Sequence, residues 1–265
     1  MIDLHNHIIY NVDDGSRSLE ESMRMILAAR DAGFTTICFT PHYMEDGYKT
    51  SKDELINKFN NIKYEVSLKA KNMQLFLGEE VMIFPTMDEK LDDYLCINAT
   101  SYLLFELPLV EDVNYLTDTV YNLQAKNKTL ILAHPERYDR SSEDYGFLKD
   151  LAKTGVLFQI NINSLNGQYG TEAKKVAIKL LHDDLVSFVA TDSHRARDYK
   201  NSVKAYKKLR KLVSEEKFLE LTELAPLNVL KDVEHDNWEF LNDKNRKNKF
   251  LLNLLYKLPF LIKWF

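Results

Sequence analysis

The chain begins Met1-Ile2-Asp3-Leu4-His5-Asn6-His7, an apolar start that runs directly into His-x-His. In an extended strand alternate side chains share a face, so His5 and His7 can point into one site about 7 Å apart at the Cα level. Two imidazoles at that separation can grip one cation. Histidines near a chain start are commonplace by themselves, so the weight of this pair depends on how the other strands end.

Working outward, Ser18 and Glu21 have the spacing of a capping box, which predicts a helix start. Leu19, Met23, Ile26 and Leu27 then share a helical face, and Gly33 serves as a left-handed stop. Thr35-Thr36-Ile37-Cys38-Phe39-Thr40 is β-branched and apolar on both faces, as a buried parallel strand requires, and it runs into Pro41-His42. A helix over 52–71 precedes the strand 74–78, which ends at Glu79-Glu80. The strand 102–105 ends at Glu106 and is stopped by Pro108. A helix over 112–126 leads to the strand 129–133, which ends at His134-Pro135-Glu136-Arg137. Helices over 143–153 and 171–182 precede the strands 156–161 and 185–191, the second of which ends at Asp192-Ser193-His194.

Seven strands, nearly all followed by helices, predict an α/β fold that is either a wound parallel sheet or a barrel. The strand ends separate these two. An open sheet gathers functional residues at one switch point, whereas a barrel brings the C-terminal ends of all its strands to one mouth. Because nearly every strand here finishes on His, Asp or Glu, the expectation is a seven-stranded (β/α)7 TIM-like barrel over residues 1–245.

The candidate site residues are His5, His7, Asp13 or Asp14, His42, Glu79 or Glu80, Glu106, His134, Asp192 and His194. Taken singly, each has an ordinary explanation, since a strand-terminal Asp can cap a helix and a His can sit satisfied on a surface. Together they take up five of the seven histidines, at corresponding positions. His182 and His235 fall on helical or polar segments and stay outside the set. Imidazole and carboxylate ligands without thiolate suit Mn²⁺, Fe²⁺ or Zn²⁺, and so many ligands require two or three ions. Three divalent ions against four carboxylates leave a net positive pocket, suited to an activated hydroxide attacking an anionic ester. Arg137 adds a planar fork that can pair with phosphate.

The remaining composition narrows the classes. A formal charge of −5 over 265 residues excludes a nucleic-acid surface built on bulk positive charge. Cys38 and Cys96 form no CxxC pair and fit buried thiols in a reducing compartment, and no charged leader with an apolar core opens the chain, so a cytoplasmic protein is expected. Neither cysteine stands in a C-x5-R arrangement, since Met44 and Tyr102 occupy the arginine positions, and there is no G-x-x-x-x-G-K-[ST] loop. The segment 246–265 carries Arg246, Lys247 and Lys249 ahead of an aromatic-rich apolar run broken by Asn253, Lys257, Pro259 and Lys263. That pattern is too interrupted for a membrane span and reads as an interfacial anchor on anionic lipid or as a packing segment.

Leu4-His5-Asn6-His7, Thr40-Pro41-His42, Gly78-Glu79-Glu80, Phe105-Glu106-Leu107-Pro108, His134-Pro135-Glu136-Arg137 and Thr191-Asp192-Ser193-His194 resemble the PHP (polymerase and histidinol phosphatase) superfamily. Within it, residues 1–225 are similar to the CpsB/YwqE-type bacterial protein-tyrosine phosphatases. The resemblance implies a distorted seven-stranded barrel and a trinuclear, usually manganese, centre. It implies a phosphotyrosine substrate on the membrane-associated autokinase that governs capsule or exopolysaccharide synthesis. It also selects Asp14 over Asp13 and Glu80 over Glu79. Such proteins carry a second phosphate-binding Arg after the last Asp-x-His; Arg195 and Arg197 both lie nearby, and Arg197 is favoured although its spacing is short. The alternatives are a phosphoesterase on the same fold acting on a small ester such as histidinol phosphate, and a metal-holding scaffold without turnover.

Overall fold

The computed structural model describes residues 1–109, 113–138 and 145–238. The expectation for 246–265 lies outside them. The strands are β1 (Ile2–Asp3), β2 (Thr36–Phe39), β3 (His42–Tyr43), β4 (Gln74–Leu77), β5 (Glu80–Met82), β6 (Tyr102–Glu106), β7 (Thr129–Ala133), β8 (Leu157–Asn161) and β9 (Phe188–Ala190). The main helices are α1 (Leu19–Asp31), α2 (Lys52–Lys69), α3 (Leu116–Ala125), α4 (Tyr145–Lys153), α5 (Thr171–His182) and α6 (Ala196–Leu212).

Local chemistry sets the boundaries. Ser18 caps α1 by accepting from the Glu21 amide at 3.2 Å, and Ser51 does the same for α2 with Glu54 at 3.3 Å. Gly33, at φ +96°, supplies the left-handed turn that ends α1.

All strand pairings are parallel, in a three-stranded sheet of order β1-β2-β4 and a six-stranded sheet of order β3-β5-β6-β7-β8-β9. The sequence reading counted seven strands because two of them are interrupted. Thr40-Pro41 separates β2 from β3, and Gly78-Glu79 separates β4 from β5. Proline offers no ladder donor, so the pairing breaks there. Even so, the Gly78 amide donates to Phe39 at 2.8 Å and the Glu80 amide to Pro41 at 3.0 Å, linking the two sheets across the break. At the other edge, the Asp192 amide donates to His5 at 2.8 Å and the His7 amide to Ser193 at 3.0 Å, joining the end of β9 to the segment after β1.

The strands are buried on both faces, which is why they read as continuous apolar runs. Ile37, Phe39, Leu103, Phe105, Leu130 and Leu132 face the helices. On the opposite face Cys38, Tyr102, Leu104, Ile131, Leu157 and Phe188 pack with Val229 and Leu230 of the C-terminal helix Ala225–Leu230, and with Trp238. Continuing that second face at a period of two residues reaches His42, Glu80, Glu106, Gln159, Asn161 and Asp192. The apolar floor thus turns polar at the C-terminal ends of the strands. Cys38 is buried as expected, whereas Cys96 is only half-buried, since it sits on a connecting segment between β5 and β6.

A candidate metal centre at the C-terminal strand ends

His134 departs from the two-residue alternation, because Ile131 and Ala133 already occupy the inner face of β7. The backbone corrects this: His134 adopts φ 36° and ψ 52°, a left-handed turn that starts the short helix Pro135–Arg137. Asp192 likewise has positive φ, 50°. Side chains with a Cβ rarely take this conformation, and it persists where surrounding structure enforces it.

The structure brings all nine predicted ligand residues together. One group joins His7, Asp14, His42 and His194; the others are His5 with His134 and Asp192, His5 with His7 and Glu80, and His42 with Glu80 and Glu106. Within each group the ligand atoms lie within 4.8 Å of one another. Glu80 is central: its Oε2 is 3.2 Å from His5, 3.4 Å from His7 and 3.1 Å from His42, and its Oε1 is 2.9 Å from His134. Asp14 and His194 form the half-exposed rim, 3.2 Å apart.

The electrostatics are those of buried imidazoles and carboxylates that compensate one another's charge. Burial opposes a proton on His5 and His7, but the carboxylates of Glu80, Asp192 and Asp13 outweigh it and push both imidazoles up. For His42, burial and the neighbouring His7 oppose the charge, yet Glu80 and Glu106 raise it to about 10. Against the cost of burial, the same histidines hold Glu80 and Asp192 well below the usual carboxylate range. The hydrogen bond from His194 draws Asp14 down to about 2. His42 Nδ1, Glu80 Oε2 and Glu106 Oε1 are buried, with His42 Nδ1 3.1 and 2.9 Å from the two oxygens, and none has a hydrogen-bond partner. Buried polar atoms are ordinarily satisfied, so convergence of this kind fits a site for divalent cations.

Of the supporting residues, Gln159, Asn161 and Asp3 were not read from the sequence. Gln159 Oε1 lies 2.6 Å from His5 Nδ1, and Asn161 donates to Asp192 at 2.6 Å. Both are polar residues inside an otherwise apolar strand, and that mismatch was the available signal. Asp13 Oδ2 lies 2.8 Å from His7 Nδ1 and accepts from the His42 amide at 3.1 Å. Asp13 therefore sits behind the cluster while Asp14 faces into it. The turn holding both is tight: a Cβ on Gly15 would fall 2.1 Å from the His7 carbonyl oxygen, which no side chain permits. Asp3 accepts from Thr191 at 2.9 and 2.7 Å and from Tyr199 at 2.8 Å, tying β1 to the end of β9 and to α6.

Of the cations, Arg137 reaches Asp192 Oδ2 at 2.8 Å. Arg195 donates to the carbonyls of Asp14, Gly15 and His194 at 3.1, 2.6 and 2.6 Å. Arg197 is exposed on the first turn of α6 and makes no hydrogen bond or ion pair among the described residues. His182 and His235 lie outside the cluster, beside Asp183 and Asp236.

The family profile for capsular polysaccharide synthesis, CpsB/CapC, matches residues 1–231. The chain belongs to the CpsB/CapC family. CapC of Staphylococcus aureus is 33% identical over 196 residues, covering 73% of this chain and 77% of CapC. The tyrosine-protein phosphatase YwqE of Bacillus subtilis is 30% identical over 199 residues, 74% of this chain and 78% of YwqE. A crystal structure from the pair YwqE of Bacillus subtilis and CpsB of Streptococcus pneumoniae, described as unique metal-dependent tyrosine phosphatases, superposes with a TM-score of 0.82 at 29% identity. It covers 88% of this chain and 95% of its own. A histidinol phosphate phosphatase of Lactococcus lactis shares the fold of this CpsB/CapC member, with a TM-score of 0.54 at 16% identity over 79% of this chain and 92% of its own.

Proposed function

We propose that this CpsB/CapC member is a metal-dependent protein-tyrosine phosphatase. Its substrate on this reading is a phosphotyrosine protein of capsule or exopolysaccharide synthesis, a membrane-associated tyrosine autokinase. The observation that carries the reading is the convergence of His5, His7, Asp14, His42, Glu80, Glu106, His134, Asp192 and His194 beside the guanidinium of Arg137. The nine residues are read as ligands of three divalent ions, most naturally Mn²⁺, with Fe²⁺ and Zn²⁺ compatible with the same donors. When bound, such ions supply Lewis acidity and an activated water.

The chain's own residues do the rest. Gln159 and Asp13 orient His5 and His7 through their Nδ1 atoms, leaving each Nε2 directed into the cluster. Arg137 offers a planar fork to phosphate oxygens, and Arg197 is the second cation, since Arg195 is committed to backbone carbonyls. No side chain need form a covalent intermediate. Cys38, the fully buried thiol, has its pKa pushed far up by that burial and is no nucleophile.

The two sheets are read as one distorted seven-stranded barrel, supported by the hydrogen bonds across Pro41 and Gly78 and by the return contact of Asn6 with Ser193. Residues 1–245 form the phosphatase unit on this reading, in the cytoplasm. Residues 246–265 act as a peripheral anchor on anionic lipid; deleting them should release the protein from anionic liposomes without loss of small-substrate turnover. No helix among the described residues is long and apolar enough to cross a membrane.

The test is hydrolysis of a phosphotyrosine peptide by chelated and Mn²⁺-reloaded protein, with His42→Ala and with histidinol phosphate as competing substrate. Metal-restored peptide turnover that is lost in His42→Ala is expected. Preference for histidinol phosphate would keep the centre and reject the substrate, and no turnover of either with metal bound would reject the enzyme.

A further inference from the structure

Arg137 has a second contact that the proposed chemistry leaves unexplained. Its guanidinium carbon lies 4.5 Å from the centroid of the Tyr169 ring, inside the range of a cation–π stack. Tyr169 sits in the connection between the short helix Ile162–Asn166 and α5, flanked by Gly167 at φ +83° and Gly170 at φ +96°. Residues with a Cβ avoid both angles, so the glycines let the chain double back and carry one large ring between them. The turn is pinned. Gly167 donates to Ser164 at 2.9 Å, Gly170 to Gly167 at 3.1 Å and Gln168 to Asn163 at 3.3 Å.

Among the described residues only Nη1 of Arg137 is hydrogen-bonded, to Asp192. To present the rest of the fork to an anion, a long flexible side chain must lose several rotamers. A ring centroid 4.5 Å from the guanidinium carbon and a carboxylate oxygen 2.8 Å from Nη1 together restrict how the group can turn.

We propose that Tyr169 is a positioning residue that holds Arg137 in the plane from which it receives the phosphoryl group. Its role in phosphate binding rests on the phosphatase reading; the orientation of Arg137 does not. Removing the ring should weaken phosphate binding about 3- to 10-fold, the scale of a partly desolvated cation–π contact.

Two measurements on the full chain test this. In the first, the Arg137 Nε–H resonance is identified by its loss in Arg137→Lys and followed in position-169 variants. It should carry the ring-current shift in the wild type and in Tyr169→Phe, and lose it in Tyr169→Leu. An unmoved resonance in Tyr169→Leu overturns the proposal whether or not the protein is a phosphatase. In the second, Tyr169→Leu should raise KM for the peptide and the inhibition constant of inorganic phosphate by the stated factor, with kcat little changed. Tyr169→Phe and Tyr169→Trp should restore both, and Tyr169→Leu should add nothing in an Arg137→Ala background. An equal effect of Tyr169→Leu with and without Arg137, or no rescue by Phe and Trp, overturns it as a positioning role.

Discussion

The amide oxygen of Gln159 and the Nδ1 of His5 stand 2.6 Å apart, both fully buried. Because an amide oxygen only accepts, the contact puts a proton on Nδ1 and turns Nε2 toward Glu80 and Asp192. Gln159→Leu should therefore lower metal affinity by about 10- to 100-fold, the usual cost of losing a partner that orients a ligating histidine. Metal titration followed by chelator competition reads this directly. A variant that binds metal like the wild type would show that β8 packing alone orients His5.

Metal uptake should release protons. His42 is held protonated up to about 10 by Glu80 and Glu106 in the metal-free cluster, against burial and His7, and His5 and His7 are shifted in the same direction. A metal ion must displace those protons, so apparent affinity should rise with pH from neutrality toward 10. Calorimetry in two buffers of different ionisation enthalpy measures the number released. Absence of a buffer-dependent heat would contradict the electrostatics of the cluster.

Glu79 predicts a separate pH dependence. Burial lifts its carboxyl to about 8, although the Leu95 amide donates to it at 2.7 Å and pulls the other way. The unfolded value is near 4.5. The folded state thus holds the extra proton, and the stability this contributes is complete below about 4.5 and is lost as pH rises through 8. Glu79→Gln should flatten the unfolding free energy between pH 5 and 8, with a gain of a few kcal/mol at the alkaline end. Urea unfolding of the metal-loaded protein across that window checks it.

Arg195 and Arg197 should separate in their effects. Arg195 clamps the Asp14-Gly15 turn to the end of β9, so Arg195→Ala should loosen Asp14 and reduce metal occupancy. Arg197→Ala should leave occupancy intact and raise KM for phosphotyrosine by about tenfold or less, as expected for one charge-assisted contact. Metal content and KM, measured on both variants, decide; a full-strength Arg197→Ala enzyme would leave Arg137 as the only phosphate-binding arginine.

The order of strands and helices and the residues of the candidate site were legible because both are written in short-range pattern. Continuous apolar runs marked strands buried on both faces, Ser18 and Gly33 marked the ends of α1, and polar residues after each run marked the strand ends. The breaks at Pro41 and Gly78 were less visible, since each is a local interruption in a strand whose pairing resumes on the far side. Gln159 and Asn161 were missed because an amide in a strand takes its meaning only from what lies opposite it across the sheets.

The sequence by itself determined which side chains could reach one mouth, since a period of two residues carries the apolar inner face of several strands into His42, Glu80, Glu106 and Asp192. It put His134 in the set as a strand-terminal residue, but did not give the turn that aims it there. By periodicity His134 belongs on the helix-covered face, and only the left-handed turn at that residue rotates it inward. Nor could spacing separate Asp13 from Asp14, which are adjacent in sequence but take different partners: Asp13 meets His7 Nδ1 and Asp14 meets His194 Nε2. Those distinctions depend on the tight turn that brings Gly15 against the His7 carbonyl and on the clamp of Arg195 from the far end of the chain, and that clamp exists only once the strands have been brought together.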